Sequence, residues 1–513
     1  MSEREWEAMN EKDFDDMLAE SVSFLPPDDV VEGVTPWRSA MNRVLVGMAL
    51  CTVTLNLLCL NYILPAIGMV LALLGFRALR RENKWFGCCF VITIIRAAIL
   101  FPSLILNTTI IRSTVFTSDV ASLLMAASLL LLLVWYVCLW RGFRAVQQKA
   151  GLPEKAGAAA ALIVWFVLMC VLAAVEYSGP VIIIAMLVAY IFIIRNLFKL
   201  SKVLDEAGYS IRTAPVKVTD KGIVLLIASV LIIGCAAGYI FGGSYPMDWS
   251  RVEQTESTKT ETIKTRLREL GFPEYALNDL TPEDLAACDG AVRVVVDVTN
   301  EPVNDGRTVN REYEVADGIH RTVQETVYDV KELRITGIGV QLDGERDKWI
   351  IFHHFLWTVD PGFYGTEAIR LMPTYQGLSE GWVSAGEASG RVLYDKDGET
   401  FAAPYYRLGS QTYTSDSVFW GKKEISNIFA EFSMPRHGEN YRGYVAYPVE
   451  EAQDGYIINS WIDYTHQKSF LQYPAMTAAE RQMLGFLSDS AAFVTIQDAL
   501  QFLPSKDGIE MLS

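Results

Sequence analysis

The chain has 513 residues, 51% of them hydrophobic, a mean hydropathy of +0.22 and a formal net charge of −16. That length exceeds one ordinary core and points to about three domain-sized units. The hydropathy is too high for a wholly water-soluble protein, and the acidic balance argues against nucleic acid or an anionic wall polymer as partner.

Charge and apolar content divide the chain. Residues 1–42 hold 3 basic and 11 acidic residues, 43–243 hold 17 and 7, and 244–513 hold 24 and 42. The expected organisation is an acidic cytoplasmic tail (1–42), a transmembrane helical domain (43–243), a stalk with short helices (244–289) and an extracytoplasmic β-rich domain (290–513).

In the tail, Phe14 and Leu18 form one apolar stripe on a short acidic helix that Pro26 and Pro27 stop. A second short helix ends near Pro36, with Trp37 at the interfacial level. A helix this short gains stability on docking, so Phe14, Leu18 and Trp37 are the candidate contacts for a basic cytosolic protein. The competing reading is a solvated acidic tail lying back on the chain's own basic loops. The first 42 residues lack the short apolar core of a cleavable signal peptide.

A hydrocarbon layer about 30 Å thick needs roughly 20 apolar residues per helix. The apolar runs predict spans at 44–61, 64–80, 86–107, 120–140, 157–177, 181–198 and 222–243, about seven in all. The first two are nearly continuous. One straight helix from Val44 to Phe76 would be roughly 50 Å long, so a tight hairpin turning at Asn61–Tyr62 is expected instead. Three basic clusters lie at and beyond alternate span ends: Arg77 to Lys84, Arg141 to Lys155, and Arg195 to Lys221. Together they hold 14 basic residues, whereas the opposite loops contribute only Arg112. This asymmetry predicts cytoplasmic basic loops, a cytoplasmic N-terminus and everything after Gly243 outside the cytoplasm.

An ionisable residue at membrane depth is a functional hypothesis by default. Arg96 sits mid-span in the third run and Glu176 near the outer end of the fifth. They form a candidate intramembrane polar site for an anionic or lipidic ligand; the plainer reading is a structural pair. The span interiors otherwise lack His, Asp and Lys, which argues against an intramembrane protease, a di-metal enzyme or a proton-coupled pump. Seven of the eight cysteines lie in apolar runs, where Cys is commonly a small buried hydrophobe, and Cys288 alone cannot staple the distal domain.

Beyond the spans, Arg251–Leu270 reads as a stalk helix ended by Gly271 and Pro273, and Thr281-Pro282 opens another short one. From Ala291 the period becomes two, with strands at Arg293–Val298, Val323–Val330, Leu333–Leu342, Trp349–Trp357, Arg391–Asp395, Thr400–Ala403, Glu424–Phe432, Gly443–Val449 and Tyr456–Tyr464. Helices are expected at 477–487, opened by the capping box Thr477…Glu480, and at 495–502. The order suggests an antiparallel sandwich with flanking helices. Asp397-Gly398 reads as a hairpin turn rather than part of a calcium loop. His353 and His354 face opposite sides of their strand and cannot easily share a metal. Trp349, Trp357, Trp382, Trp420 and Trp461 are core residues or, less expectedly, a sugar-binding face.

No nucleophile elbow, phosphate-binding loop or zinc spacing occurs, so no catalytic, cofactor or metal residue is assigned and a non-enzymatic role is expected. The stretch Phe14–Trp37, the loop Arg80-Arg81-Glu82-Asn83-Lys84-Trp85 and Leu270-Gly271-Phe272-Pro273-Glu274 together resemble a group of multi-pass membrane proteins of Gram-positive anaerobes. That group brings no known activity, and the resemblance implies location in the cell membrane only. The expected function is a surface sensor or signalling-type protein. Its outer domain would bind a ligand or envelope component, and its tail a cytosolic partner. The alternative is a transport or export-accessory component with Arg96 and Glu176 lining a pathway.

Overall fold

The computed structural model describes residues 34–512, except 53–58, 116–117, 176, 178, 213–217, 253–257, 303–306, 317–318, 328–331, 345–346, 376–380, 418–420, 471, 484–491 and 506–507. Two compact units are present: residues 1–106 with 111–236, and 107–110 with 237–513.

The first unit is helical. A short strand β1 (Val34–Pro36) leads into α1 (Trp37–Thr52), α2 (Leu60–Leu79), α3 (Lys84–Leu106), α4 (Ser118–Lys149), α5 (Gly157–Ala174) and α6 (Pro180–Glu206); strand β2 (Ser210–Arg212) precedes α7 (Asp220–Phe241). Six of these helices, α2 to α7, are long and apolar enough to cross a membrane. The described part of α1 has 16 residues and ends at Thr52.

The first hairpin exists, but its turn is not where the apolar run suggested. Helix α2 already begins at Leu60, behind Cys59 in a left-handed conformation (φ 60°), so Asn61 and Tyr62 are helical. Helix α1 starts earlier than expected because Trp37, Ala40 and Met41 are buried and extend the packed face upstream. The two helices meet on a seam of small residues. A Cβ added at Gly68 would lie 2.5 Å from the Gly47 carbonyl oxygen, and one at Gly75 would lie 2.8 Å from that of Ala40. Glycine at both positions lets the backbones touch, a common device where lipid removes the hydrophobic drive for helix association.

Packing in this unit is concentrated at the end that carries the basic loops. There Trp37 packs with Phe86, Phe143 and Tyr209 at 5.7 to 6.1 Å between ring centroids, and Phe76 lies edge-on to Trp135 at 5.3 Å. Strand β1 pairs antiparallel with β2, joining the segment before α1 to the loop after α6. Asp220, opening α7, accepts Arg43 of α1 at 2.7 Å and Arg77 of α2 at 3.1 Å, and Arg77 also donates to the Val218 carbonyl. Glu82 accepts Lys149 at 2.6 Å and the Tyr209 hydroxyl at 2.5 Å.

The second unit is a β-sandwich with helices on one outer face. One sheet runs β3 (Ser250–Arg251), β12 (Glu399–Ala403), β11 (Ser389–Lys396), β15 (Glu439–Glu451), β8 (Lys348–Trp357), β7 (Glu332–Leu342) and β4 (Ala291–Pro302), with β10 (Trp382–Ser384) on β15. The other runs β13 (Arg407–Ser417), β14 (Gly421–Phe432), β9 (Glu367–Met372), β16 (Ile458–Gln467), β17 (Phe493–Ser505) and β18 (Gly508–Met511). A separate hairpin pairs β5 (Arg307–Ala316) with β6 (Ile319–Val327). All of these pairings are antiparallel.

Strand β8 shows why the sheets stack. Trp349, Ile351, Phe355 and Trp357 point into the core between the sheets, with Ile369, Phe432, Ile462 and Leu500 opposite. Ile350 and Phe352 point the other way, under α8 (Thr258–Glu269), α9 (Glu274–Leu277) and α10 (Pro282–Ala287), which contribute Ile263, Leu267, Leu277 and Leu285. Covered on both faces, β8 is apolar nearly throughout. The helices of the expected stalk (244–289) are thus packed against the sheet, and Ser250–Arg251 within it pair as a strand with β12.

Local signals held at several points. Asp397 (φ 54°) and Gly398 (φ 78°) form the two-residue turn between β11 and β12, where left-handed residues suit the strand twist. Thr281 caps α10 by accepting from the Asp284 N–H at 3.1 Å, with Pro282 at the first helical position. Thr477 and Glu480 cap one another reciprocally at 2.9 and 3.1 Å, opening α11 (Ala478–Met483). The helix expected at 495–502 is instead part of β17. Ile496, Leu500 and Phe502 share one face in the inter-sheet core, and the strand pairs with β16 along Phe493–Phe502.

Candidate functional site

Arg96 lies in α3, about 18 Å along the helix from Lys84 at 1.5 Å per residue. One turn below it the bundle is tightly closed. Thr93 is buried, donates to the Cys89 carbonyl at 2.7 Å and accepts the Trp135 indole N–H at 3.0 Å. Above this floor the helices part. Helix α4 is buried at Trp135, Tyr136, Leu139, Phe143 and Val146, yet none of residues 119–134 is buried.

The gap between α2, α3 and the splayed half of α4 is a cleft of about 300 Å³. Pro65, Met69, Ile99 and Leu129 are among its apolar walls; Arg96, Ser103 and Ser128 bring polar groups to it. The Ser103 hydroxyl is engaged with the Leu100 carbonyl at 2.7 Å, and the Cys51 thiol with that of Pro65 at 3.6 Å. Glu176, expected near Arg96, lies outside the described residues.

Of the expected tail contacts, Phe14 and Leu18 lie outside the described residues. Trp37 is fully buried in the aromatic cluster at the basic end, so its ring serves the bundle core. The β1–β2 pairing and the Asp220 clamp were not anticipated: the strands are three residues each, and an aspartate opening an apolar helix is ordinary. The seven-residue spacing of small residues at Gly68/Gly75 and Ala40/Gly47 is a signal in the sequence for this seam.

In the second unit polar groups are buried in sets. Asp279 accepts from Arg442 Nε at 2.8 Å and lies 2.8 Å from His354 Nε2, while Arg442 also pairs with Asp395 at 3.0 Å. Burial works to raise the Asp279 carboxyl, but His354 and Arg442 outweigh it and hold the group below the ordinary carboxylate range. Asp284 accepts Ser389 at 2.6 Å and the Tyr444 hydroxyl, fixing α10 to the sheet. Arg370 pairs with Asp463, and His466 Nδ1 lies 2.7 Å from Glu367, whose carboxyl is pushed up by burial against the lowering effect of His466.

His353 and Ser460 approach at 2.7 Å, a distance that would suit a base and a nucleophile. Both are fully enclosed between the sheets, Ser460 also accepts the Tyr447 hydroxyl, and burial lowers His353 to about 3. A substrate has no access, and the pair is structural. His354 faces the helices instead, so the two histidines do point apart. Trp349, Trp357 and Trp382 are core residues, and Trp461 is partly exposed; Trp420 lies outside the described residues. Among the described residues no group of three His, Cys, Asp or Glu is placed to hold a metal, and none of the eight cysteines forms a disulfide.

No protein-family model and no curated protein matches the chain. Among solved structures it is similar to a "Pore forming protein" at 4% identity, covering 41% of this chain and 90% of that one, with a TM-score of 0.17. It is also similar to Clostridium perfringens delta-toxin at 7% identity, covering 42% of this chain and 97% of that one, again with a TM-score of 0.17. At these scores the likenesses carry no argument about fold or activity.

Proposed function

We propose that the chain is a multi-pass sensor of the cell membrane. Its sandwich, held outside the cytoplasm, takes up a ligand or envelope component, and its acidic N-terminal segment engages a cytosolic protein. The observation that carries this reading is the β1–β2 pairing at the basic-loop end. Basic loops favour the cytoplasmic side, and a segment tied to one of them supports the same side for the acidic residues before it. An even number of crossings then separates β1 from β2, which supports seven in total, with α1 and α2 as the first pair. Helix α7 starts at the Asp220 clamp, and the chain after it builds the sandwich. Among its own residues α7 buries none.

The functional test compares transcripts in cells whose protein lacks residues 1–33 with those in cells whose protein lacks 250–513. The same set of genes should change in both. A tail deletion that alters no transcript overturns the signalling reading. The Arg96 cleft favours a transport or export component as a second reading, under which Arg96→Leu abolishes flux in a folded protein. The Trp135–Thr93 hydrogen bond closes α3 against α4 one turn from Arg96, which suits binding better than passage.

A further inference from the structure

Arg96 is the anomaly of the membrane unit. A guanidinium cannot shed its proton in a protein, and placing one near the middle of a membrane helix costs at least about 2.5 kcal/mol. Such a group is expected to have an acidic partner, a hydrated cavity or a headgroup within reach. Among the described residues Arg96 has no ion pair and no hydrogen-bond acceptor. What it has is a cleft of about 300 Å³.

The shape and lining of that cleft specify an occupant. Its volume is at the lower end of the usual range for small-molecule sites, enough for a head and the first part of a chain rather than a whole lipid. Its walls are aliphatic, with Met69 and Met125 as adaptable side chains and Pro65 and Leu129 as rigid ones. Met125 and Leu129 of α4, which line the cleft, are exposed apolar side chains. A freely soluble anion would gain nothing from those walls, and a neutral lipid tail would leave the guanidinium unanswered.

We infer that the cleft binds the acidic head of a membrane amphiphile, a carboxylate or phosphate carried on an acyl chain. Arg96 holds the head through paired N–H donors, and the aliphatic walls hold the first methylenes. The site stands independently of whether the tail signals.

The test uses the full chain in bilayers of phosphatidylcholine alone. A palmitate analogue carrying a diazirine near its carboxyl end is photolysed, and the labelled peptides are mapped. Labelling should fall on 85–107 and 118–134 and be competed by palmitate but not by methyl palmitate. Competition by palmitate alone indicates a free fatty acid as the source; equal or better competition by lysophosphatidate indicates a phosphate head. Arg96→Met should reduce labelling at least about tenfold, with Arg96→Lys retaining part of it. Ser128→Phe fills the cleft without touching the charge and should block labelling too, which covers the case in which Arg96→Met fails to fold. Methyl palmitate competing as well as palmitate, or labelling unaffected by Ser128→Phe in a folded protein, overturns the inference.

Discussion

The two units treat buried charge in opposite ways. Among the described residues of the sandwich, four buried carboxylates are set against cations or histidines, Asp279 with Arg442 and His354, Asp463 with Arg370, Glu431 with Arg407 and Glu367 with His466, while Asp284 is held by hydroxyls. Among the described residues of the helical unit the pairs collect at the basic-loop end, as at Asp220 and Glu82, while Arg96 has no ion pair and faces a cleft. A partnered charge inside a fold contributes to its specificity. A lone one facing a cavity is where a ligand completes the structure.

The largest effect should follow from breaking a pair in the sandwich. Asp279→Leu removes the acceptor of the Arg442 Nε and the partner of His354, leaving Arg442 only Asp395, and should cost about 3–5 kcal/mol. Thermal unfolding of the full chain followed by Trp fluorescence measures this, and adding Arg442→Leu should return part of the loss. If Asp279→Leu alone is neutral, the sandwich does not depend on pairing and the contrast fails.

Next in size is the seam of the helical unit. Gly68→Leu drives a side chain into the Gly47 backbone and should cost about 1–3 kcal/mol or more. Gly157→Ala, where an added Cβ meets nothing within 4 Å, is the control and should be close to neutral.

Acid should separate the units less sharply. His353, lowered to about 3 by burial, stays neutral in the fold while the unfolded chain takes up a proton below its ordinary value near 6.5. Stability contributed by the neutral group is therefore lost as pH falls from about 6.5 toward 3, at up to about 1.4 kcal/mol per pH unit. Asp279, held low, adds a loss in the same direction below the carboxylate range, and Glu367, pushed up, opposes it. His353→Phe should flatten the upper part of that profile in denaturant titrations at stepped pH. The smallest effect belongs to the surface. Glu399→Gln removes the exposed pair with Arg251 and should change stability by less than about 0.5 kcal/mol.

Much of the architecture was legible because its signals are local. Long apolar runs became helices α2 to α7, short β-rich runs became β7, β8 and β15, and the Asp397-Gly398 turn and the two Thr caps were read from a few residues each. Strands β9 and β13 were missed. The first carries a buried Glu367 that breaks its alternation, and the second, Arg-Leu-Gly-Ser-Gln-Thr-Tyr-Thr-Ser-Asp-Ser, is a polar edge whose partner β14 supplies its pairing. The same limit applied to β17, where Ala499 and Leu500 suit a helix and only pairing with β16 decides otherwise. For the candidate site, Arg96 was found from its depth. The cleft beside it could not be, because it arises from where α4 stops packing, which depends on residues far apart in the chain.

The most direct test of the arrangement is the side of the membrane on which each end lies. In a Cys-depleted full chain, a Cys is placed at Ser21 or, separately, at Ser410, which is exposed on β13. Intact cells are treated with an impermeant maleimide, with lysed cells as control. The account predicts Ser410 labelled and Ser21 protected until lysis. Labelling at both positions in intact cells would put the acidic segment on the same side as the sandwich and contradict it.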